Sequence, residues 1–160
     1  MESIVPILMG SRSDLEHAQA IAKALDELGI ASALHIGSAH KTPAHVLDIL
    51  QRYEADPRPK VYITIAGRSN ALSGFTDAQV TAPVIACPPP SSSFGGADIY
   101  SSLRMPSGVA PAVVLEPANA ALLAAKILGV ADTALRARVA ELQQRNRDTL
   151  LSDDAGLTTA

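Results

Sequence analysis

The strongest constraint on this fold is a repeated unit: a short apolar run, a small polar loop, then apolar residues at helical spacing. Ile4–Met9 is an unbroken apolar run that stops at Gly10-Ser11-Arg12-Ser13-Asp14. Beyond it, Leu15, Ala18, Ala22, Leu25 and Leu28 fall on one helical face, and Gly29 stands where that helix should end. Ser13 and Glu16 have the spacing of a capping box. Ala31–Ile36 repeats the pattern and stops at Gly37-Ser38-Ala39-His40-Lys41-Thr42-Pro43. Pro43 suits the first position of a helix that reaches about Tyr53, with Val46, Leu47, Ile49 and Leu50 as its apolar face.

The second half continues in the same way. Residues 61–66 read as a third strand ending at Gly67-Arg68-Ser69-Asn70. Residues 84–87 read as a fourth, stopped by Pro88-Pro89-Pro90, and residues 112–115 as a fifth after a Ser/Gly/Pro-rich loop. An Ala-rich helix is predicted over 117–129 and a charged amphipathic helix from 132 to about 151, leaving 152–160 as a loose tail. Strands alternating with helices imply right-handed crossovers and a parallel sheet. The expected fold is α/β: a three-layer αβα sandwich, flavodoxin-like or Rossmann-like, with a C-terminal helix and residues 1–160 as one domain.

Composition narrows the function classes. Apolar residues make up 48% of the 160 and aromatics 3%, with no Trp, so the core must be built from close-packed aliphatic layers. A net charge of −3 argues against a nucleic-acid surface. The single Cys excludes a disulfide scaffold, and the four His and one Cys have no metal-ligand spacing, so no metal is expected. No apolar run approaches the roughly 18 residues of a membrane span, and the N-terminal residues lack a signal-peptide profile. These features predict a cytoplasmic protein that binds neither nucleic acid nor membrane.

In parallel sheets ligands bind beyond the carboxyl ends of the strands. Three loops there, over 10–14, 37–41 and 67–70, are small and polar, and a fourth follows at 104–108. They offer Ser11, Ser13, Ser38, Ser69 and Ser107 together with Arg12, Lys41, Arg68 and Arg104. Glycines that admit backbone N–H groups to an anion, beside a helix N-terminus, suit a sugar phosphate. The plainer alternative is a set of ordinary caps and turns. No nucleotide-triphosphate loop or three-glycine dinucleotide fingerprint occurs.

His40 lies in a strand-to-helix turn and is the best-placed general acid–base; the alternative is a helix-entry histidine bonded to backbone. His17, His35 and His45 are expected in surface or packing roles. Asp14 is either a first-turn helix residue favoured by the dipole or an acceptor for a ligand hydroxyl. Gly67-Arg68-Ser69-Asn70-Ala71 nearly matches a serine-hydrolase elbow, but no His follows His45 to complete a triad. Cys87 precedes Pro88 and reads as a buried structural thiol.

Taken together, Met9-Gly10-Ser11-Arg12-Ser13-Asp14, Ser38-Ala39-His40-Lys41-Thr42-Pro43 and Met105-Pro106-Ser107-Gly108 resemble the signature segments of the PurE family of purine biosynthesis. The resemblance covers residues 5–129. It implies chemistry on aminoimidazole ribonucleotide (AIR), in one of two classes. Class I enzymes are mutases that move a carboxylate from N5 to C4 of the imidazole; class II enzymes carboxylate AIR directly with CO2, without ATP, biotin or metal. The third loop, Ala66-Gly67-Arg68-Ser69-Asn70-Ala71-Leu72-Ser73-Gly74, lacks the histidine typical of mutases. Cys87-Pro88-Pro89-Pro90, the segment leading into Met105-Pro106-Ser107-Gly108, and Lys41 in place of the usual Arg also resemble class II.

The resemblance therefore implies a reversible AIR carboxylase with no cofactor and His40 as acid–base. It implies substrate contacts from Ser11, Asp14, Ser38, Lys41, Gly67 and Ser69, with Arg104, Ser107 and Gly108 supplied by a neighbouring subunit of a homo-octamer. The rivals are the class I mutase and, from another class, a non-enzymatic flavodoxin-like nucleotide-binding module. A phosphorylatable receiver needs an Asp at the end of the third strand, where this chain has Ala66-Gly67-Arg68.

Overall fold

The computed structural model describes residues 2–158. Five parallel strands, β1 (Ile4–Met9), β2 (Ala31–Ile36), β3 (Tyr62–Ile65), β4 (Val84–Ala86) and β5 (Ala112–Val113), form one sheet in the order β2-β1-β3-β4-β5. This is the flavodoxin-like doubly wound order, which switches direction between β1 and β3. Around it lie α1 (Leu15–Glu27), α2 (Pro43–Glu54), α3 (Ala71–Asp77), α4 (Tyr100–Leu103), α5 (Pro117–Leu128) and α6 (Thr133–Thr158).

Alternation along β1 divides the core. Val5, Ile7 and Met9 face Ala18, Ile21 and Leu25 of α1, four fully buried alanines of α5 (Ala120, Ala121, Ala124, Ala125), and Leu135 and Val139 of α6. Leu8 faces the opposite layer, with Val46, Ile49 and Leu50 of α2 and Leu72 of α3. The alanines let α5 lie close against α1, so the near-absence of aromatics is a packing choice rather than a deficit. Gly29 takes φ +67 just past α1, as its place in the sequence predicts. Pro43 opens α2.

Four expectations change. The capping box does not form: α1 starts at Leu15 with Asp14 as its N-cap and no side-chain cap bond. A 3₁₀ turn over Arg12–Asp14 takes up Ser13, whose hydroxyl pairs with Ser11 instead. A helix not foreseen, α3, follows the third loop. The strands at the right-hand side are shorter than expected, β5 spanning only Ala112–Val113. The expected helix end near 151 falls short, because α6 runs on to Thr158.

The α2–β3 layer carries a titrating clamp. Glu54 Oε1 accepts from the Tyr62 hydroxyl at 2.9 Å, and Oε2 accepts from the Thr81 N–H and hydroxyl at 3.1 and 3.0 Å. Burial alone would raise the Glu54 pKa, but these hydrogen bonds and Lys60 hold it below its ordinary value. A depressed carboxyl stabilises the fold above its unfolded pKa, and that contribution is lost as pH falls through the folded value. The urea midpoint of the native protein is therefore expected to exceed that of Glu54→Gln at pH 7. The gap should close on acidification below about pH 4; a gap constant with pH would sink the assignment.

Candidate active site

The polar loops meet where topology predicts, at the carboxyl ends of β1, β2 and β3. They surround an open cleft of about 620 Å³. The first loop is pinned to the neighbouring strand by the Gly10 N–H donating to Ile65 O at 2.9 Å. Ser11 Oγ donates to Asp14 Oδ2 at 3.5 Å, and Asp14, whose side chain makes no capping bond, lines the cleft.

The second loop is shaped by one glycine and two hydroxyls. A Cβ on Gly37 would come 2.8 Å from Val46 Cγ2, so α2 packs against the loop only because that carbon is missing. Ser38 N–H donates to Thr42 Oγ1 at 2.9 Å, Thr42 N–H to Ser38 O at 2.8 Å, and Lys41 N–H to Ser38 Oγ at 3.2 Å. That tight turn lifts His40 and Lys41 onto the cleft wall, both exposed. Among the described residues no side chain or backbone group bonds the His40 ring, so the backbone-bonded alternative is not what the fold adopts.

The third loop brings Ala66, Gly67, Arg68 and Ser69 to the same cleft. Arg68 holds φ +56, a left-handed conformation that costs a non-glycine residue about 1 kcal/mol. Asn70, 4% exposed, anchors the loop from below. Its Oδ1 accepts from the N–H and hydroxyl of Ser73 at 3.1 and 2.9 Å, its Nδ2 donates to Ser102 Oγ at 2.9 Å, and its N–H donates to Ser101 Oγ at 2.9 Å.

Six of the predicted contact residues, Ser11, Asp14, Ser38, Lys41, Gly67 and Ser69, thus line one cleft with His40. Arg104, Ser107 and Gly108 do not. Their segment is strapped to α3: Met105 Sδ sits 2.9 Å from where a Cβ on Gly74 would be, and Ala110 N–H donates to Asp77 Oδ2 at 2.7 Å. Arg104, Ser107 and Gly108 are all exposed and lie outside this cleft. The residues that sequence reasoning passed over are Pro89, Pro90 and Ser91 to Ser93, which close the fourth side. Their place directly after β4 was the available signal, since the same edge rule applies to that strand.

The arrangement gives Lys41 and Arg68 as cations, several hydroxyls, one carboxylate and one imidazole around a space sized for a nucleotide. Cys87 is fully buried, and burial, with Glu116, pushes its thiol up to about 12, so it supplies no thiolate at neutral pH.

Such a constellation fits a sugar phosphate, and one comparison decides among the enzymes that bind them: the sequence pattern described as AIR carboxylase matches residues 4–149. The chain belongs to the AIR carboxylase family. A phosphoribosylaminoimidazole carboxylase of Treponema denticola is 58% identical over 157 residues, 98% of this chain and 99% of the relative. Another, from Archaeoglobus fulgidus, is 52% identical over 151 residues, 94% of this chain and 83% of the relative. The crystal structure of Treponema denticola PurE matches with a TM-score of 0.96 at 58% identity, over 98% of this chain and 99% of that one. As an AIR carboxylase family member, the chain carries the family's α/β fold. Among the described residues no helix is long and apolar enough to cross a membrane.

Proposed function

We propose that this chain catalyses the reversible carboxylation of AIR by CO2, without ATP, and that His40 carries the proton. The observation behind this reading is that, among the described residues, His40 is the one imidazole lining the cleft, beside the ionisable groups of Asp14, Lys41 and Arg68; imidazole is the side chain best suited to take and return a proton near neutral pH. The aminoimidazole is an enamine, nucleophilic at C4. Its C4 attacks CO2, the new C–C bond forms, and the displaced π electrons return when the C4 proton leaves to His40. The imidazolium then gives that proton to water. In reverse, His40 protonates C4 and CO2 departs.

Binding follows from the walls. Lys41, Ser38 and Ser11 suit the phosphate and ribose, Asp14 suits a ribose hydroxyl, and Gly67 and Ser69 present backbone and hydroxyl to the ring. Arg104, Ser107 and Gly108, exposed on their own subunit, would complete the cleft of a neighbouring copy in a homo-octamer. The direct carboxylase is favoured over the mutase because the third loop brings Arg68 and Ser69, and no second imidazole, to the cleft. The relatives at 58% and 52% identity are both named carboxylases.

The discriminating experiment follows the ultraviolet change of AIR with purified protein, in the absence of ATP, as bicarbonate-buffered CO2 is raised. The rate should rise with CO2 until it saturates. A protein that ignores CO2 but converts the N5-carboxy compound is a mutase, and the class assignment falls.

A further inference from the structure

Cys87 is followed by Pro88, Pro89 and Pro90, so the segment that carries the fourth wall of the cleft, Pro89 onward, opens with three residues that own no backbone N–H. A segment without donors cannot knit itself to the sheet. It must be held by its ends. At the far end Ser91 Oγ donates to Asp98 Oδ2 at 2.8 Å. At the near end Cys87 N–H donates to Thr64 O at 2.8 Å, and the Cys87 side chain makes two further contacts: His17 Nε2 lies 3.3 Å from Sγ, and Sγ lies 3.6 Å from Leu115 O.

Only one arrangement of hydrogens satisfies all three groups. The buried thiol keeps its proton and donates it to the Leu115 carbonyl, leaving the sulfur to accept from His17 Nε2–H. Burial also lowers the His17 pKa against the opposing pull of Cys87, Asp14 and Glu116, in keeping with a neutral ring. His17 sits one turn beyond Asp14 on α1, so this chain ties the helix behind the first loop to the root of the proline wall. Pro89 in turn is the nearest neighbour of Gly67, its Cγ 3.5 Å from where a Cβ there would be.

We propose that His17 is a positioning residue for the AIR carboxylase reaction, holding the Pro88-Pro89-Pro90 wall through Cys87 so that the wall sets the place of Gly67 and of the ribonucleotide. This rests on the carboxylase reading above for the identity of the ligand. His17 touches no reacting atom in this role. Its effect should appear in ribonucleotide affinity and KM rather than in the His40-dependent chemical step.

The test compares His17→Leu, His17→Gln, Cys87→Ala and the His17→Leu/Cys87→Ala double variant, by calorimetric affinity for AIR and by steady-state kinetics. His17→Leu and Cys87→Ala should each weaken AIR binding and raise its KM by about three- to tenfold, the worth of one hydrogen bond, with kcat within about twofold. The glutamine amide can place an N–H near the Nε2 position, so His17→Gln should stay within about twofold of the native protein. The double variant should be no worse than the poorer single, because both changes break the His17–Cys87 contact. An unchanged affinity in His17→Leu and Cys87→Ala, a His17→Gln as impaired as His17→Leu, or multiplicative losses in the double variant would overturn the proposal. Cys87→Ala removes a single atom and keeps the test decisive even where His17→Leu fails to fold. The two readings separate cleanly: a native protein inert toward AIR and CO2 refutes the carboxylase, whereas the tie is judged on variant-to-native ratios.

Discussion

His40→Asn should lower kcat by about 10²–10⁴-fold while leaving AIR affinity within a few-fold of native, because on the proposed mechanism it removes the imidazole that carries the proton and little else. Asparagine keeps a polar side chain of similar reach in the turn but can neither take nor return the C4 proton. The fold should not respond. His40 is exposed, and its turn is held by Ser38 and Thr42, whose hydrogen bonds do not involve the imidazole. Stopped assays in both directions provide the check: if one base serves both, as proposed, both rates should fall together. A variant retaining more than about a tenth of native kcat would move proton transfer to another group.

The largest effect on stability is expected at Asn70. Asn70→Ala deletes three side-chain hydrogen bonds at a buried site: two accepted from Ser73 and one donated to Ser102. At about 1 kcal/mol each, the loss is about 3 kcal/mol, and more if the Ser73 N–H is left without a partner. For a chain of this size that lowers the melting temperature by roughly 6–12 °C. Activity should fall too, because Asn70 joins the third loop to α4 and so fixes Gly67 and Ser69. Asn70→Asp retains the acceptor for Ser73 and discards the donor to Ser102, and is expected to fall between the two. A loss under about 1 kcal/mol in Asn70→Ala would mean that the network is redundant.

Where sequence reasoning succeeded, the local signal and the tertiary demand agreed. Met9 and Gly10 mark the end of β1 because a six-residue apolar run stopped by a small polar turn is too short for a buried helix and reads as a strand buried on both faces. Gly29 and Pro43 mark helix boundaries because few other residues suit those conformations. Helix α3 was invisible for the opposite reason. Its Ala-Leu-Ser-Gly-Phe-Thr-Asp makes only two turns, offers just Leu72 and Phe75 as large apolar residues, and carries a glycine in its middle, tolerated because Met105 Sδ occupies the space a Cβ would need. Its start is set by Asn70, whose capping role depends on a serine 32 residues away. Helix α6 outran its expected end because no proline follows Thr133 to stop it, although Leu150, Leu151 and Leu157 remain exposed. In the site, the three loops were legible because each directly follows a strand. The proline wall was not, since prolines read as breakers rather than as walls.

That wall has one more consequence. Pro89 and Pro90 line the cleft with hydrocarbon and no hydrogen to share, while the loop of Ser38 to Lys41 lines it with hydroxyl, imidazole and ammonium groups. The cavity is therefore polarised from side to side. An anionic group finds a cation and hydroxyls at that loop and no partner on the proline rings. A ligand with phosphate at one end and an amine at the other can settle in a single sense, so the cleft discriminates head from tail before any side chain reads the ring itself.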